Sequence, residues 1–330
     1  MSSILLHAFI AMLPAAMAVQ GAPSQADSIL TPGGSSSIPV FTEETLSGGA
    51  DSAAARGMLT VEDTGRRFEG DELREVLALA ADVRGFLFAA DAMTGKVLRF
   101  GPDGSSIEFE QRGLESAIYP IDLASQGAFV YVLDYAGNRI LRYDYKGAWL
   151  DVLIDFDQFE RTRPVSLTVS GGGRLLMTDF ENHRLSVWSP LLEPEIVTGE
   201  YGWSGGSFDR PAKAEVFGDE SIAVAEFGNA RVQVLLGSGR FESFLEMPGG
   251  RSWVSPRYVC SDPEGFLYVA DTGAGAVRVF SPKGEWLADI VREGGFEPSA
   301  VAVGWDDLLY VADLRSRSIY IYKLVHPGTP

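Results

Sequence analysis

A unit of two short apolar strands joined by a tight turn recurs six times along this 330-residue chain. The copies read LFAADAMTGKVLRF, VYVLDYAGNRILRY, LLMTDFENHRLSVW, IAVAEFGNARVQVL, LYVADTGAGAVRVF and LYVADLRSRSIYIY. Aligned on the acid that closes the first strand, they place Asp91, Asp134, Asp179, Glu226, Asp271 and Asp313 at intervals of 43, 45, 47, 45 and 42 residues. Apolar and polar residues alternate at period two between Gly, Pro and Asp, which is the signal of short, half-buried β-strands. Such a unit cannot cover its own apolar faces and must stack on copies of itself. An α-solenoid repeats at a similar length but requires a helical period, and none of these segments has one. The expectation is therefore an all-β, six-bladed β-propeller of four-stranded antiparallel blades.

Each blade can be completed from its flanks. An innermost strand precedes the motif at Val76–Ala81, Ile121–Ser125, Val165–Val169, Arg257–Ser261 and Ala300–Val303, often opened by a proline: Pro120, Pro164, Pro256, Pro298. Proline is tolerated at a strand's first residue, where no ladder donor is lost. A fourth strand follows the motif at Ile107–Gln111, Trp149–Ile154, Glu195–Thr198, Phe241–Leu245 and Trp286–Ile290. The sixth copy lacks one, because only VHPGTP follows Ile319–Leu324. Met58–Glu62 (MLTVE) has nothing local to pair with, so it is expected to close the ring as the outer strand of the last blade and so protect an open edge.

The propeller should thus occupy residues 58–330. Ahead of it, residues 1–18 read as a signal peptide: Ile4–Val19 is apolar, too short to span a bilayer, and ends in Ala16-Met17-Ala18 before Val19. No Lys or Arg precedes that run, which departs from the usual pattern. Residues 19–57 are rich in Ser, Gly, Ala and Pro and read as a disordered linker. The mature chain is expected to be exported, to the periplasm or beyond, with no transmembrane span, and to act as a monomer. The linker carries Asp27, Glu43, Glu44 and Asp51 against Arg56, which leaves −15 of the total charge of −18 on the propeller. That sign disfavours nucleic acid, whose binding rests on Lys and Arg. The single cysteine, Cys260, rules out an internal disulfide and a Cys-based zinc site, and its alternating surroundings suggest a buried, inert thiol.

The phrases YVLDYAGNRILRY, IAVAEFGNARVQVL and LYVADTGAGAVRVF resemble the NHL repeat, with its pattern YVAD-x-x-N-N-R-I-x-V-F. The match holds at Asp134, Gly137, Asn138, Arg139 and Ile140, and at Glu226, Gly228, Asn229, Arg231 and Val232. Blades one, five and six depart at the Asn-Arg pair, with Gly95-Lys96, Gly275-Ala276 and Arg317-Ser318. The resemblance implies an exported propeller of bacterial type and says little of function, since a propeller is a scaffold. Related propellers imply two metal chemistries. Amidating lyases need several histidines, whereas only His183 and His326 lie beyond the signal segment. Lactonases hold calcium in the channel with Asn, Asp and Glu, for which the innermost strands offer Asp122, Glu215 and Glu297 without an Asn partner. No nucleophile elbow, P-loop or dinucleotide fingerprint occurs.

The six repeated acids read as turn caps accepting backbone amides. Function should lie where copies differ. The loops entering the innermost strands and the motif turns share a rim, which collects Tyr119, Tyr135, Phe180, His183, Phe227 and Trp253 with Arg161, Arg163, Arg257, Arg315 and Arg317. Aromatics and Arg are enriched at binding hot spots, and Arg can fork onto a carboxylate or phosphate. The expected role is binding of a protein or small anionic ligand on this rim; the alternative is a calcium-dependent hydrolase or lyase. His183 has no acid–base partner visible in sequence and reads as an exposed turn residue. The Gly-rich stretch Thr198–Lys213 reads as a lengthened connector, or else a flap carrying Tyr201 and Trp203 over the rim.

Overall fold

A computed structural model of the chain describes residues 36–38, 59–111, 116–159 and 161–326. The expected signal peptide and, apart from residues 36–38, the expected linker lie outside the described residues. Blade one is built from Val76–Ala81, Leu87–Asp91, Lys96–Phe100 and Ser106–Glu108, each strand antiparallel to the next. Blade two comprises Pro120–Gln126, Phe129–Asp134, Arg139–Asp144 and Trp149–Asp155. Blade three comprises Thr168–Val169, Leu175–Asp179, Arg184–Trp188 and Pro194–Thr198. Blades four and five follow with Pro211–Phe217, Ser221–Glu226, Arg231–Leu235 and Phe241–Phe244, then Pro256–Ser261, Leu267–Asp271, Ala276–Phe280 and Trp286–Ile290. Neighbouring innermost strands contact one another around the ring, and Pro298–Val303 of blade six meets Val76–Ala81 of blade one.

Blade six closes the ring as the unpaired N-terminal strand requires. Pro298–Val303, Leu308–Asp313 and Ser318–Val325 are completed by Thr60–Glu69, which pairs antiparallel with the last strand from Thr60 opposite Val325 to Glu69 opposite Ser318. This strand runs well past Glu62. The Asp63-Thr64-Gly65-Arg66 stretch looks like a turn but forms a β-bulge, where Thr64 Oγ1 donates to the Ile321 carbonyl and Gly65 takes a φ of +67°. A bulge absorbs the extra residues and lets pairing resume. Ser36–Ile38 adds a short strand outside Thr60–Glu69.

The first motif strands, second in each blade, are more buried than their alternation implies. Leu87–Asp91, Leu175–Asp179, Ser221–Glu226 and Leu267–Asp271 are buried at every position. Each sits inside its blade while neighbouring blades cover both faces, so even polar residues there are enclosed. Two apolar clusters illustrate the stacking: Leu185, Val187 and Leu176 of blade three pack with Ala214, Ile222 and Val224 of blade four, and Val232 and Val234 of blade four pack with Val259, Val269 and Phe280 of blade five.

The six turns between the second and third strands share one backbone form. The fourth residue after the motif acid is left-handed every time: Gly95, Asn138, His183, Ala230, Gly275 and Arg317 have φ between +45° and +70°. Gly and Asn adopt that conformation cheaply; His183, Ala230 and Arg317 do so at a cost in strain.

Candidate functional site

Each motif acid ties this turn to the loop that enters its innermost strand. Asp91 accepts the amides of Arg74 and Glu75 and, from the turn, the amide and hydroxyl of Thr94. Asp134 accepts the Tyr119 amide and Arg139 Nε; Asp179 accepts the amides of Arg163 and Asn182. Glu226 takes the Asp209 amide, Asn229 and Arg231; Asp271 takes the Ser255 amide and Arg278 Nε. Asp313 takes the Glu297 amide and the Ser316 hydroxyl. Where the motif Arg is missing, Thr94 in blade one and Ser316 in blade six supply the turn donor, and in blade five Arg278 reaches the acid from two places further along. These acids are consumed by bracing the rim.

The bracing leads to a bulge. In five blades the innermost strand skips one residue directly after its first: between Val76 and Ala78, Pro120 and Asp122, Pro211 and Lys213, Pro256 and Tyr258, and Pro298 and Ala300. Bulges re-aim side chains. The bulged residues Leu77, Ile121, Ala212, Arg257 and Ser299, with Val165 from blade three, form the wall of a cavity of about 390 Å³ at the channel mouth. That volume falls in the range of small-molecule pockets. Arg257 is the only charged member of this wall ring.

The floor comes from the next residue along. Asp122 of blade two, Lys213 of blade four and Tyr258 of blade five meet in the channel. Asp122 Oδ2 accepts Lys213 Nζ at 2.7 Å and the Leu167 amide at 2.6 Å, while Oδ1 accepts Tyr258 Oη at 2.9 Å and the Leu123 amide at 2.8 Å. The Lys213 ammonium also donates to the Leu167 carbonyl at 2.6 Å and lies 4.5 Å from the Tyr258 ring centroid. Leu167 thus spends its backbone groups on the floor rather than on a ladder, and the blade-three strand next to it is only two residues long. Burial, with the neighbouring Asp122 charge, pushes the Tyr258 hydroxyl well above its ordinary range. Below the floor, on a second opening of the channel, Glu215 is pushed up to about 7 by burial, which Lys213 only partly offsets. Cys260, close by, is buried, and its thiol is pushed up by the same desolvation.

Above the wall, the motif turns supply Tyr135, Phe180, Glu181 and His183, and the strand-entry loops supply Arg163 and Arg210. Arg163 lies 4.2 Å over the Tyr135 ring, held by an aromatic face and not a carboxylate, and its Nε is buried without a hydrogen-bond partner. Arg257 lies 4.8 Å over Phe227, where burial lowers its pKa. Arg210 is turned toward Asp209, at 3.2 Å. His183 is half-buried and not an exposed turn residue: its Nδ1 accepts the Arg210 amide at 3.1 Å and lies 3.7 Å from Asp209 Oδ1. That partner, 26 positions downstream, belongs to the next blade and is invisible to local reading.

Five of the rim residues expected from sequence therefore line one cavity: Tyr135, Arg163, Phe180, His183 and Arg257. The others do not. Trp253 is buried in the blade-five core, its Nε1 donating to the Leu245 carbonyl and its ring stacked 5.6 Å from Phe280. An indole gains more from burial than from a rim position. Tyr119 packs at the blade one–two boundary, where burial and the Glu75 charge push its hydroxyl up to about 12. Arg161 offers its backbone carbonyl to Asn182 and Arg184. Arg315 and Arg317 are exposed beside the mouth, Arg315 lying against Gly295. Of the channel acids, Glu297 precedes its strand and braces Asp313 through its amide.

The segment expected to be a connector or flap ends inside the site. Phe208 is fully buried, and Gln233 and Arg231 hold the backbone of Gly206 and Ser207. Tyr201 and Trp203 are exposed, with Tyr201 edge-on to His183 at 5.0 Å, but neither lines the cavity. Arg210, Ala212 and Lys213 do, and Lys213 lies within Pro211–Phe217, an innermost strand whose start the Gly-rich connector concealed. Aligning prolines instead of acids would have found it, since Pro211 precedes Lys213 as Pro120 precedes Asp122 and Pro256 precedes Tyr258.

No protein-family model and no curated protein matches this chain. Many solved structures share its fold. A gluconolactonase from Xanthomonas campestris superposes with a TM-score of 0.60 at 15% identity, over 84% of this chain and 94% of that one. Virginiamycin B lyase from Staphylococcus aureus, in a catalytically inactive form with quinupristin, does so with a TM-score of 0.56 at 12% identity, over 81% and 100%. A chain of the nidogen/laminin complex gives 0.59 at 14%, over 74% and 94%. At these identities the likeness concerns the six-bladed fold. The NHL resemblance remains one of motif.

Proposed function

We propose that this propeller binds a small organic anion, a carboxylate or phosphate on an apolar body, in the mouth of its channel. The observation that carries this is the placement of Arg163, Arg210, Arg257 and Lys213 on one mainly apolar cavity of a protein with charge −18. Lys213 is committed to Asp122 and Arg210 to Asp209. Arg163 and Arg257 rest on aromatic faces, Arg257 Nε also donating to Ser255 Oγ at 3.2 Å, and a guanidinium can fork onto an incoming oxyanion. A cavity of this size favours a small ligand over a protein partner. The setting we propose is outside the cytoplasm, on the strength of the apolar segment ending in Ala16-Met17-Ala18.

Calcium in the channel fits this donor set poorly. Hard divalent cations take six or more oxygens, whereas the Lys213 ammonium already lies between Asp122 Oδ2 and the Leu167 carbonyl. A second reading, a hydrolase or lyase acting on the same anion, gains support from His183 lining the cavity above the wall and from neighbours named as a lactonase and a lyase. With Nδ1 accepting an amide, the neutral imidazole carries its proton on Nε2. Calorimetric titration with aryl carboxylates and their neutral amides tests binding. The acids should bind, the amides should not, and Arg163→Ala with Arg257→Ala should weaken binding more than tenfold at unchanged melting temperature. Equal binding of acid and amide would remove the proposal. Turnover of an aryl ester or lactone that His183→Gln abolishes would favour the enzyme.

A further inference from the structure

At the opposite end of the channel from the cavity, the tight turn between the first two strands of blade five carries Asp262 and Glu264. His326 directly follows the last strand of blade six and folds back onto this turn, its ring 5.5 Å from Phe266. Its Nε2 lies 3.7 Å from Asp262 Oδ2, 3.5 Å from Glu264 Oε2 and 3.8 Å from Asp307 Oδ1. The ligand atoms of Asp262, Glu264 and His326 all fall within 4.8 Å of one another. These separations exceed hydrogen-bond length. They suit donors that share a small cation, since two ligands each about 2.1 Å from a tetrahedral centre stand roughly 3.4 Å apart.

The surroundings are already arranged as an outer shell. Asp262 Oδ1 accepts the Phe266 amide at 2.8 Å, and Oδ2 accepts Tyr268 Oη at 2.8 Å, so the carboxylate is held in one orientation. His326 is 8% exposed and Asp262 5%. One imidazole with carboxylates selects a borderline transition metal over calcium, which prefers oxygen alone.

We propose that Asp262, Glu264 and His326, flanked by Asp307, form a Zn²⁺-class site that clips the end of the last strand onto blade five. The site is structural and independent of the channel mouth. Full-length protein purified from chelator should take up one equivalent of Zn²⁺ by calorimetry, and saturation to about a hundredfold over Kd should raise the melting temperature by about 5 °C. Glu264→Gln, on a half-exposed side chain that leaves the fold intact, should weaken Zn²⁺ more than tenfold; His326→Gln should abolish the shift. Absence of Zn²⁺ uptake by the wild type, or uptake that Glu264→Gln leaves unchanged, would overturn the proposal. So would a melting temperature that follows pH but not Zn²⁺, which would assign the cluster to an imidazolium held by carboxylates.

Discussion

Two residues show how local cost and site chemistry separate. Ala230 holds the left-handed turn position of blade four at φ +46°. That conformation costs a non-glycine residue roughly 1–2 kcal/mol, of which glycine's extra unfolded-state freedom returns part. Ala230→Gly should therefore stabilise the protein by about 0.5–1 kcal/mol in denaturant melts. His183 bears a similar strain but lines the cavity, so relieving it should cost function. Glu215 behaves differently because its carboxyl is raised to about 7 by burial. A raised carboxyl binds its proton more tightly in the folded state, so the stability it contributes is full below the unfolded value of 4.5 and is lost as pH climbs through 7. Glu215→Gln, which keeps the shape without the charge, should gain stability over wild type at pH 8 and little at pH 4.5, read as the difference in melting temperature at each pH. A gain that is equal at both would mean that Glu215 titrates normally.

At the scale of strands, closure of the ring depends on Thr60–Glu69. It buries Val61 and Phe68, and Leu59 just ahead of it is also buried. Removing residues 58–64 withdraws Leu59 and Val61, about 3–6 kcal/mol of apolar burial, and exposes the ladder edge of Ser318–Val325. The melting temperature should fall by on the order of 10 °C; no fall would mean that the last blade stands without this strand. The strands themselves were readable wherever they repeat. Alternation and Pro-opened starts located four of the six innermost strands nearly to the residue. The reading failed where a tertiary demand broke the period. The closing strand was ended at Glu62, whereas it runs on to Glu69 through a bulge at Asp63–Arg66, a feature built from the residue types of a turn. In blade three the ladder yields to the Asp122 network, and in blade four the Gly-rich segment hid the start of Pro211–Phe217, Lys213 included.

For the molecule as a whole, six motif acids brace the rim, and in five blades the residues one and two places beyond the strand start line the channel mouth or its interior. The rim was legible in its chemistry, since Tyr135, Arg163, Phe180, His183 and Arg257 could be named from the contrast between copies. Lys213 and Tyr258 could not. Each is unremarkable in its own blade, and only ring closure brings them to Asp122 across 91 and 136 positions of chain. Trp253 was misplaced because a rim loop can fold its largest side chain inward. Among the described residues no helix is long and apolar enough to cross a membrane. The account stands on the channel mouth receiving an anion. A crystal structure of the protein with an aryl carboxylate should place the carboxylate oxygens within about 3.2 Å of the Arg163 or Arg257 guanidinium, with the ring against Phe180 or Tyr135. A carboxylate bound elsewhere, with the mouth holding only solvent, would contradict it.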